Sequence, residues 1–349
     1  VTNKIDEISF SWESPSNIAL VKYWGKNHDQ TPKNSSISFT LSNCTTKTSI
    51  LFKRIDKTSE NIDFDLIFDG KKNTSFRPKI VKFFSIIQEY CPYLKDYHLL
   101  ISSSNSFPHS SGIASSASSM SALSLCIMSL EKKLTLIDDD YFFKKASFIS
   151  RIGSGSACRS VYGGVNFWGK HKELNNSSDL YSVKLSKNIS PKFNNYRDVI
   201  LIIDDKEKEV SSSVGHGLMN DNPFSKVRFN AANNNITKLL QILASGNLND
   251  FCELVEGEAL MLHSLMMNSN PSYILMKPET LEVIERIQDF RENSKIPVCF
   301  TLDAGANVHV LFPENFSKEV MTFIEKELVP LCKGGKFIKD SIGEGPKQF

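Results

Sequence analysis

Between residues 17 and 26 an apolar run, Asn-Ile-Ala-Leu-Val, passes directly into Lys-Tyr-Trp-Gly-Lys. Ile18, Ala19, Leu20 and Val21 suit a buried strand and Gly25 breaks it, so Lys22 must leave the strand at its end while Lys26 sits in the loop beyond. A fold that buries such a strand brings two ammonium groups to one edge of its core, where they converge on an anion. Alone, the segment describes any strand whose end is wetted by lysines. Other segments answer that description.

From Asn105 to Ser118 the chain reads Asn-Ser-Phe-Pro-His-Ser-Ser-Gly-Ile-Ala-Ser-Ser-Ala-Ser, followed by Met120, Leu123, Ile127 and Leu130 at helical spacing. A loop of small residues therefore opens directly onto a helix. Small residues let the backbone approach a phosphate closely, and the first-turn amides and helix dipole supply donors and partial positive charge. Ser115 and Ser116 add hydroxyls within reach of a phosphate or its magnesium ion. No lysine follows Gly112, so this is not a Walker loop. A serine-rich helix cap is the structural alternative.

Together these segments resemble the GHMP kinase superfamily, and further motifs narrow the match. NIALVKYWGK, the NSSIS run at 34–38, FPHSSGIASSAS, GSGSACRS at 153–160, KEVSSSVG at 208–215 and DAGAN at 303–307 are similar, in kind and order, to the diphosphomevalonate decarboxylase family. The resemblance implies an α+β, two-domain GHMP kinase fold. A ribosomal-protein-S5-like domain over 1–190 would carry the phosphate loop, and a ferredoxin-like α/β sandwich over 191–349 the catalytic aspartate, with the active site between them. It implies ATP-dependent decarboxylation of diphosphomevalonate to isopentenyl diphosphate, with Mg2+, in a cytoplasmic homodimer.

The implied residues follow motif by motif. Asp303 would orient or deprotonate the substrate 3-hydroxyl, with Lys22 beside it and with Asn17 and Arg159 at the substrate carboxylate region. Tyr23, Lys26, Ser154, Gly155, Ser156, Ser211 and Ser212 would hold the substrate and its diphosphate. Asn105, Pro108, Ser110, Ser111, Gly112, Ala114, Ser115 and Ser116 would hold the ATP phosphates, with Ser115 and Ser116 also near the metal. Read from the residues alone, Asp303 sits where an apolar strand enters a glycine turn, which suits a carboxylate aimed into a cleft, although a lone Asp-x-Gly is more often a turn-stabilising aspartate. Arg159 suits a bidentate clamp on an anion and equally a surface cap.

Three positions depart from the family pattern. Ala306 replaces the proline of DAGPN, which loosens the turn. Ser213 stands where other members have Thr or Arg, removing one phosphate contact, and Asn105-Ser106 replaces a common Asn-Asn pair. Nearby readings are a decarboxylase of the monophosphate, a mevalonate 3-kinase, and a GHMP fold kept as a non-catalytic module.

Composition excludes other classes. A chain of 349 residues can bury two sizeable cores. Its 41 basic residues are nearly balanced by 39 acidic ones, which argues against a general nucleic-acid binder, and no apolar stretch is long enough for a membrane span. The N-terminus lacks signal-peptide features. The seven cysteines are widely spaced with no CxxC pair, arguing against a disulfide framework or a zinc site. Cys158 is expected to serve packing; His109 and His216 lie in motif loops where either could touch a ligand, with surface or packing roles the first expectation.

Short strands are expected at 8–12, 17–23, 36–42, 47–54 and 97–102, then helices after Gly112 and at 139–152 and a strand at 165–168. The polar stretch 171–198 precedes Val199-Ile-Leu-Ile-Ile203, an apolar run expected to be buried on both faces. Helices are expected at 223–245, 248–268, 278–293 and 316–328, with strands at 298–302, 308–312 and 337–341.

Overall fold

The run ending at Val21 closes a strand much longer than its sequence suggests. A computed structural model describes residues 5–72, 75–107, 113, 115–206 and 210–349. Strand β1 (Glu7–Val21) pairs antiparallel with β2 (Ser36–Arg54), merging segments expected as four separate strands. The polar interruptions are strand residues with partners: Ser14 Oγ donates to Ser121 Oγ (2.6 Å) and Ser16 Oγ to the Ile113 carbonyl (2.7 Å). Buried serines read as loop in a sequence because their acceptors lie far along the chain.

Around this pair, β3 (Asp63–Phe68), β4 (Lys71–Lys72) and β5 (Tyr97–Asn105) extend one side of the sheet. Helix α1 (Arg77–Ile87) buries Ile80, Phe83, Phe84 and Ile87. Helix α2 (Ser115–Leu134) lies across β1 and β2, and α3 (Asp139–Gly153) packs beside it. Strands β6 (Val165–Trp168) and β7 (Ser182–Leu185) join through β2. Elements β3, β4 and α1 fall between the strands expected at 47–54 and 97–102, where the sequence reading placed no element.

The second sheet is antiparallel throughout. Strand β8 (Tyr196–Leu201) lies between β10 (Val308–Pro313) and β11 (Phe337–Ser341), and β9 (Cys299–Leu302) forms the edge. Helices α4 (Ser212–Leu218), α5 (Ser225–Ser245), α6 (Leu248–Met267), α7 (Pro278–Ser294) and α8 (Ser317–Phe323) complete this half, and β12 (Lys347–Gln348) returns to pair with β1. A π-helical turn, Ile324–Leu328, continues α8, so the expected 316–328 helix is not α-helical throughout. Among the described residues no helix is long and apolar enough to cross a membrane.

Between the sheets lies a core drawn from both halves. Ile18, Leu20 and Phe39 meet Tyr196, Ile236 and Phe251, and the Phe39 and Phe251 rings stack 6.0 Å apart. This explains why residues 14–21 are all buried: α2 covers one face of β1, while α5 and α6 reach the other.

A second tie is polar. The register of β2 slips opposite Pro15 and Asn17, and the freed amides of Ser42, Asn43 and Cys44 donate to the Asp340 carboxylate at 2.7, 2.9 and 2.8 Å. Asp340 is buried, so these charge-assisted bonds join the halves without competition from water. Asp340→Asn leaves at least one amide facing an NH2 group and is expected to lower stability by about 1–3 kcal/mol, read as a lower midpoint in urea.

Candidate active site

The end of β1 delivers Lys22 into a cleft between the halves. Its side chain is 2% exposed, and Nζ stands 3.2 Å from Asp303 Oδ1, on the turn after β9. The Lys22 peptide is gripped from both sides. Its N–H donates to Glu258 Oε2 (2.9 Å), and its carbonyl accepts from Arg228 Nη2 (3.1 Å) and Asn34 Nδ2 (2.9 Å). Glu258 and Arg228 form a two-pronged pair (2.9 and 2.7 Å), both essentially without exposure, on α6 and α5.

The aspartate turn is equally fixed. His263 Nε2 donates to the Asp303 carbonyl (3.0 Å), Thr280 Oγ1 to the Ala306 carbonyl (2.8 Å), and Asn307 Oδ1 accepts from the Ile203 and Asp204 amides (2.7 and 2.9 Å). Thr280 and Asn307 thus anchor the end of the turn, at Ala306 and Asn307. Burial lowers the Lys22 ammonium from its ordinary range, opposed by the Asp303 and Glu258 carboxylates. Asp303, 3.2 Å away, is the nearest group that favours the charged form of Lys22.

Within GSGSACRS a 3-10 turn begins, Gly155–Val161. Arg159 is buried and bonded through Nε to Asn17 Oδ1 (3.2 Å) and through Nη1 to Ser36 Oγ. Asn17 also donates to Ser160 Oγ (2.7 Å) and the Ser156 carbonyl (3.1 Å), so it braces Arg159 from behind the cleft wall. Tyr23 packs on Trp168 with ring centroids 4.6 Å apart, and its buried Oη has no hydrogen-bond partner among the described residues. A Cβ on Gly155 would stand 2.7 Å from that Oη and 3.0 Å from Trp168. Gly155→Ala is therefore expected to cost about 1–3 kcal/mol, taken more from substrate affinity than from folding because Tyr23 can yield into the cleft. Comparison of KM with the melting temperature checks this.

The cleft encloses about 310 Å³. Its described lining carries Lys22, Lys26, Lys79, Lys82 and Arg159 against one carboxylate, Asp303, with Ser154, Ser156, Ser212, Ser213 and His216 among its polar groups. Lys79 and Lys82 come from α1 and escaped the sequence reading, since nothing in a lysine-bearing amphipathic helix marks which lysines face a ligand. Burial and the neighbouring Lys82 charge lower the Lys26 ammonium, a like-charge crowding that a bound anion relieves. Lys26 also donates to Gln30 Oε1 (2.8 Å).

A second, more apolar cavity of about 420 Å³ adjoins the first, lined by Leu66, Phe68, Phe76, Ile80 and Ile101 with Ser115 and Ser211. The two share Lys79, Ser116, Ser212 and Ser213. Ser116 Oγ lies 3.1 Å from Ser154 Oγ, joining α2 to the 3-10 turn, and Ser211 caps α4 by accepting the Val214 amide. Asn105 ends β5, where its Oδ1 accepts from Thr46 Oγ1 (2.8 Å). Pro108, Ser110, Ser111, Gly112 and Ala114 lie outside the described residues, as do His109 and Lys208. Cys158 is buried with its thiol on the Gly155 carbonyl, a packing role. His216, expected in a surface or packing role although its motif loop left ligand contact open, borders the cleft.

Two α+β halves, a strand-end lysine facing an aspartate, and a cationic cleft beside an apolar one define an enzyme of the GHMP kinase class. Two family models match this chain: the diphosphomevalonate decarboxylase-like N-terminal domain over residues 14–180 and the mevalonate 5-diphosphate decarboxylase C-terminal domain over 198–347. The chain belongs to the diphosphomevalonate decarboxylase family. It is 26% identical to the diphosphomevalonate decarboxylase of Candida albicans, across 97% of this chain and 98% of that protein. It is 27% identical to that of Ganoderma lucidum, across 90% and 80%. Among solved structures, MDDEF in complex with MVAPP, AMPPCP and magnesium superposes with a TM-score of 0.83 at 26% identity, covering 98% of this chain and 99% of that one. Mevalonate diphosphate decarboxylase from Staphylococcus aureus gives 0.83 at 27%, covering 98% of each.

Proposed function

We propose that this chain converts (R)-5-diphosphomevalonate and ATP to isopentenyl diphosphate, ADP, phosphate and carbon dioxide. The observation that carries the proposal is the charge of the cleft: five cationic side chains stand around one carboxylate, Asp303, an excess that a polyanionic ligand neutralises. A diphosphate satisfies that excess better than a monophosphate does, which favours this substrate over 5-phosphomevalonate.

In this reading Lys26, Tyr23 and the cleft serines bind the diphosphate, and Arg159, braced by Asn17, faces the substrate carboxylate. Asp303 takes the proton of the 3-hydroxyl as its oxygen attacks the γ-phosphorus of ATP, forming the C3–O–P bond while the bond to ADP breaks. Lys22 offsets charge on the moving phosphoryl group. Phosphate then leaves C3 with the C–O electron pair, the carboxylate C–C bond supplies the pair for the new double bond, and carbon dioxide departs. Orientation of the carboxylate against the breaking C–O bond is what the site contributes.

Nucleotide binding is assigned to the apolar cavity, with phosphates crossing at Ser116, Ser212 and Ser213 where the two spaces meet. The adjacent hydroxyls of Ser115 and Ser116 are hard oxygen donors that suit Mg2+, which neutralises phosphate charge when bound. A related protein's complex with MVAPP, AMPPCP and magnesium supports the same ligands here. A cytosolic setting belongs to the reading and agrees with seven free, buried cysteines. So does a homodimer, testable by light scattering. The deciding assay follows carbon dioxide, ADP and phosphate with diphosphomevalonate and with 5-phosphomevalonate. Equal release of all three with the diphosphate is expected; faster turnover of the monophosphate, or ADP without carbon dioxide, overturns the proposal.

A further inference from the structure

His216 does more than fill space. Its ring packs against Tyr23 and Trp24, with centroids 4.4 and 4.5 Å away, and its Nδ1 accepts the Gly25 amide at 2.9 Å. A nitrogen that accepts a backbone N–H presents its lone pair, so the neutral ring carries its proton on Nε2. Burial, reinforced by the Lys26 charge, lowers the imidazole to about 3, keeping it neutral across the working range. Helix α4 lies close against Trp24 at this place. A Cβ on Gly215 would stand 2.6 Å from Trp24 and 2.7 Å from the Tyr273 hydroxyl.

The residue is 8% exposed, and it borders the cleft beside Lys26 and Tyr23. With Nδ1 occupied by Gly25, the polar group left for the cleft is Nε2–H, which has no hydrogen bond among the described residues. We propose that His216 is a substrate-binding residue whose Nε2–H donates to a phosphate oxygen of the diphosphate, forming with Tyr23 Oη and Lys26 a subsite that selects diphosphate over monophosphate. The inference deepens the function proposed above and rests on it. A fixed neutral donor suits this position: it adds a directional bond where a further cation would worsen the crowding between Lys26 and Lys82.

The test uses the two amide side chains that mimic different edges of imidazole. Asparagine places its oxygen near the Nδ1 position and leaves nothing at Nε2; glutamine reaches the Nε2 position with an N–H donor. His216→Asn is expected to raise KM for diphosphomevalonate, and the Kd for inorganic diphosphate by calorimetry, about tenfold or more, with kcat far less affected. His216→Gln is expected to recover much of that loss. On [15N]histidine-labelled wild type, inorganic diphosphate should move the Nε2 resonance more than the Nδ1 resonance. Unchanged KM and Kd in His216→Asn, or His216→Gln impaired as badly as His216→Asn at equal melting temperature, overturns the inference. Should the wild type fail to turn over diphosphomevalonate, the functional reading falls, while the inorganic diphosphate measurements still decide the role of His216.

Discussion

Asp303→Asn is expected to reduce carbon dioxide and ADP formation together, by about 10²- to 10⁴-fold. Asparagine fills the same volume and its Oδ1 can still accept from Lys22 across 3.2 Å, so the substitution keeps the local geometry. What it removes is the ability to receive a proton and the negative charge that holds the buried Lys22 ammonium against desolvation. Because phosphorylation precedes decarboxylation, both products must fall in step. Single-turnover measurement of ADP and carbon dioxide reads the result directly, and an unchanged ADP burst with lost carbon dioxide would remove Asp303 from the phosphoryl-transfer step.

The second large effect concerns stability. Glu258→Ala leaves the Arg228 guanidinium buried without its carboxylate and leaves the Lys22 amide without its acceptor, and is expected to cost about 3–5 kcal/mol in urea unfolding. Asn235, whose Nδ2 donates to Glu258 Oε1 at 2.7 Å, loses its partner as well. Glu258→Gln retains one acceptor oxygen and should fall between the two. In a double-mutant cycle, removing Arg228 as well should cost much less than the sum of the single changes, because each change alone strands its partner. Additive costs would show that the pair contributes little as a pair.

The sequence displayed the parts of the site that are local. Lys22 at a strand end, Arg159 in a glycine-rich turn and Asp303 before a glycine turn each announce themselves within a few residues. Lys79, Lys82 and the Glu258–Arg228 pair do not, because each lies on a helix whose pattern explains it as surface or core, and its role exists only once a distant segment is folded against it. The same limit shaped the strand assignments. Residues 14–16, Ser-Pro-Ser, look like a break, yet they are strand residues, and the two serine hydroxyls find acceptors at Ser121 and Ile113, far along the chain. Residues 199–203 showed their burial plainly, since a run of aliphatic residues has no use elsewhere; the strand itself starts earlier, at Tyr196, and ends at Leu201.

The shared core also has a consequence for synthesis. Lys22 and Asp303 are 281 positions apart, and the Ile18–Val21 segment that carries Lys22 has one of its two covers on α5 and α6, the latter ending at Met267. During translation the amino-terminal half therefore emerges with Ile18, Leu20 and Phe39 lacking their later partners, a greasy groove that must wait for chain not yet made. A ribosome-stalled nascent chain ending near residue 190 should stay chaperone-bound and protease-sensitive, and one long enough to free α6 from the exit tunnel should become resistant.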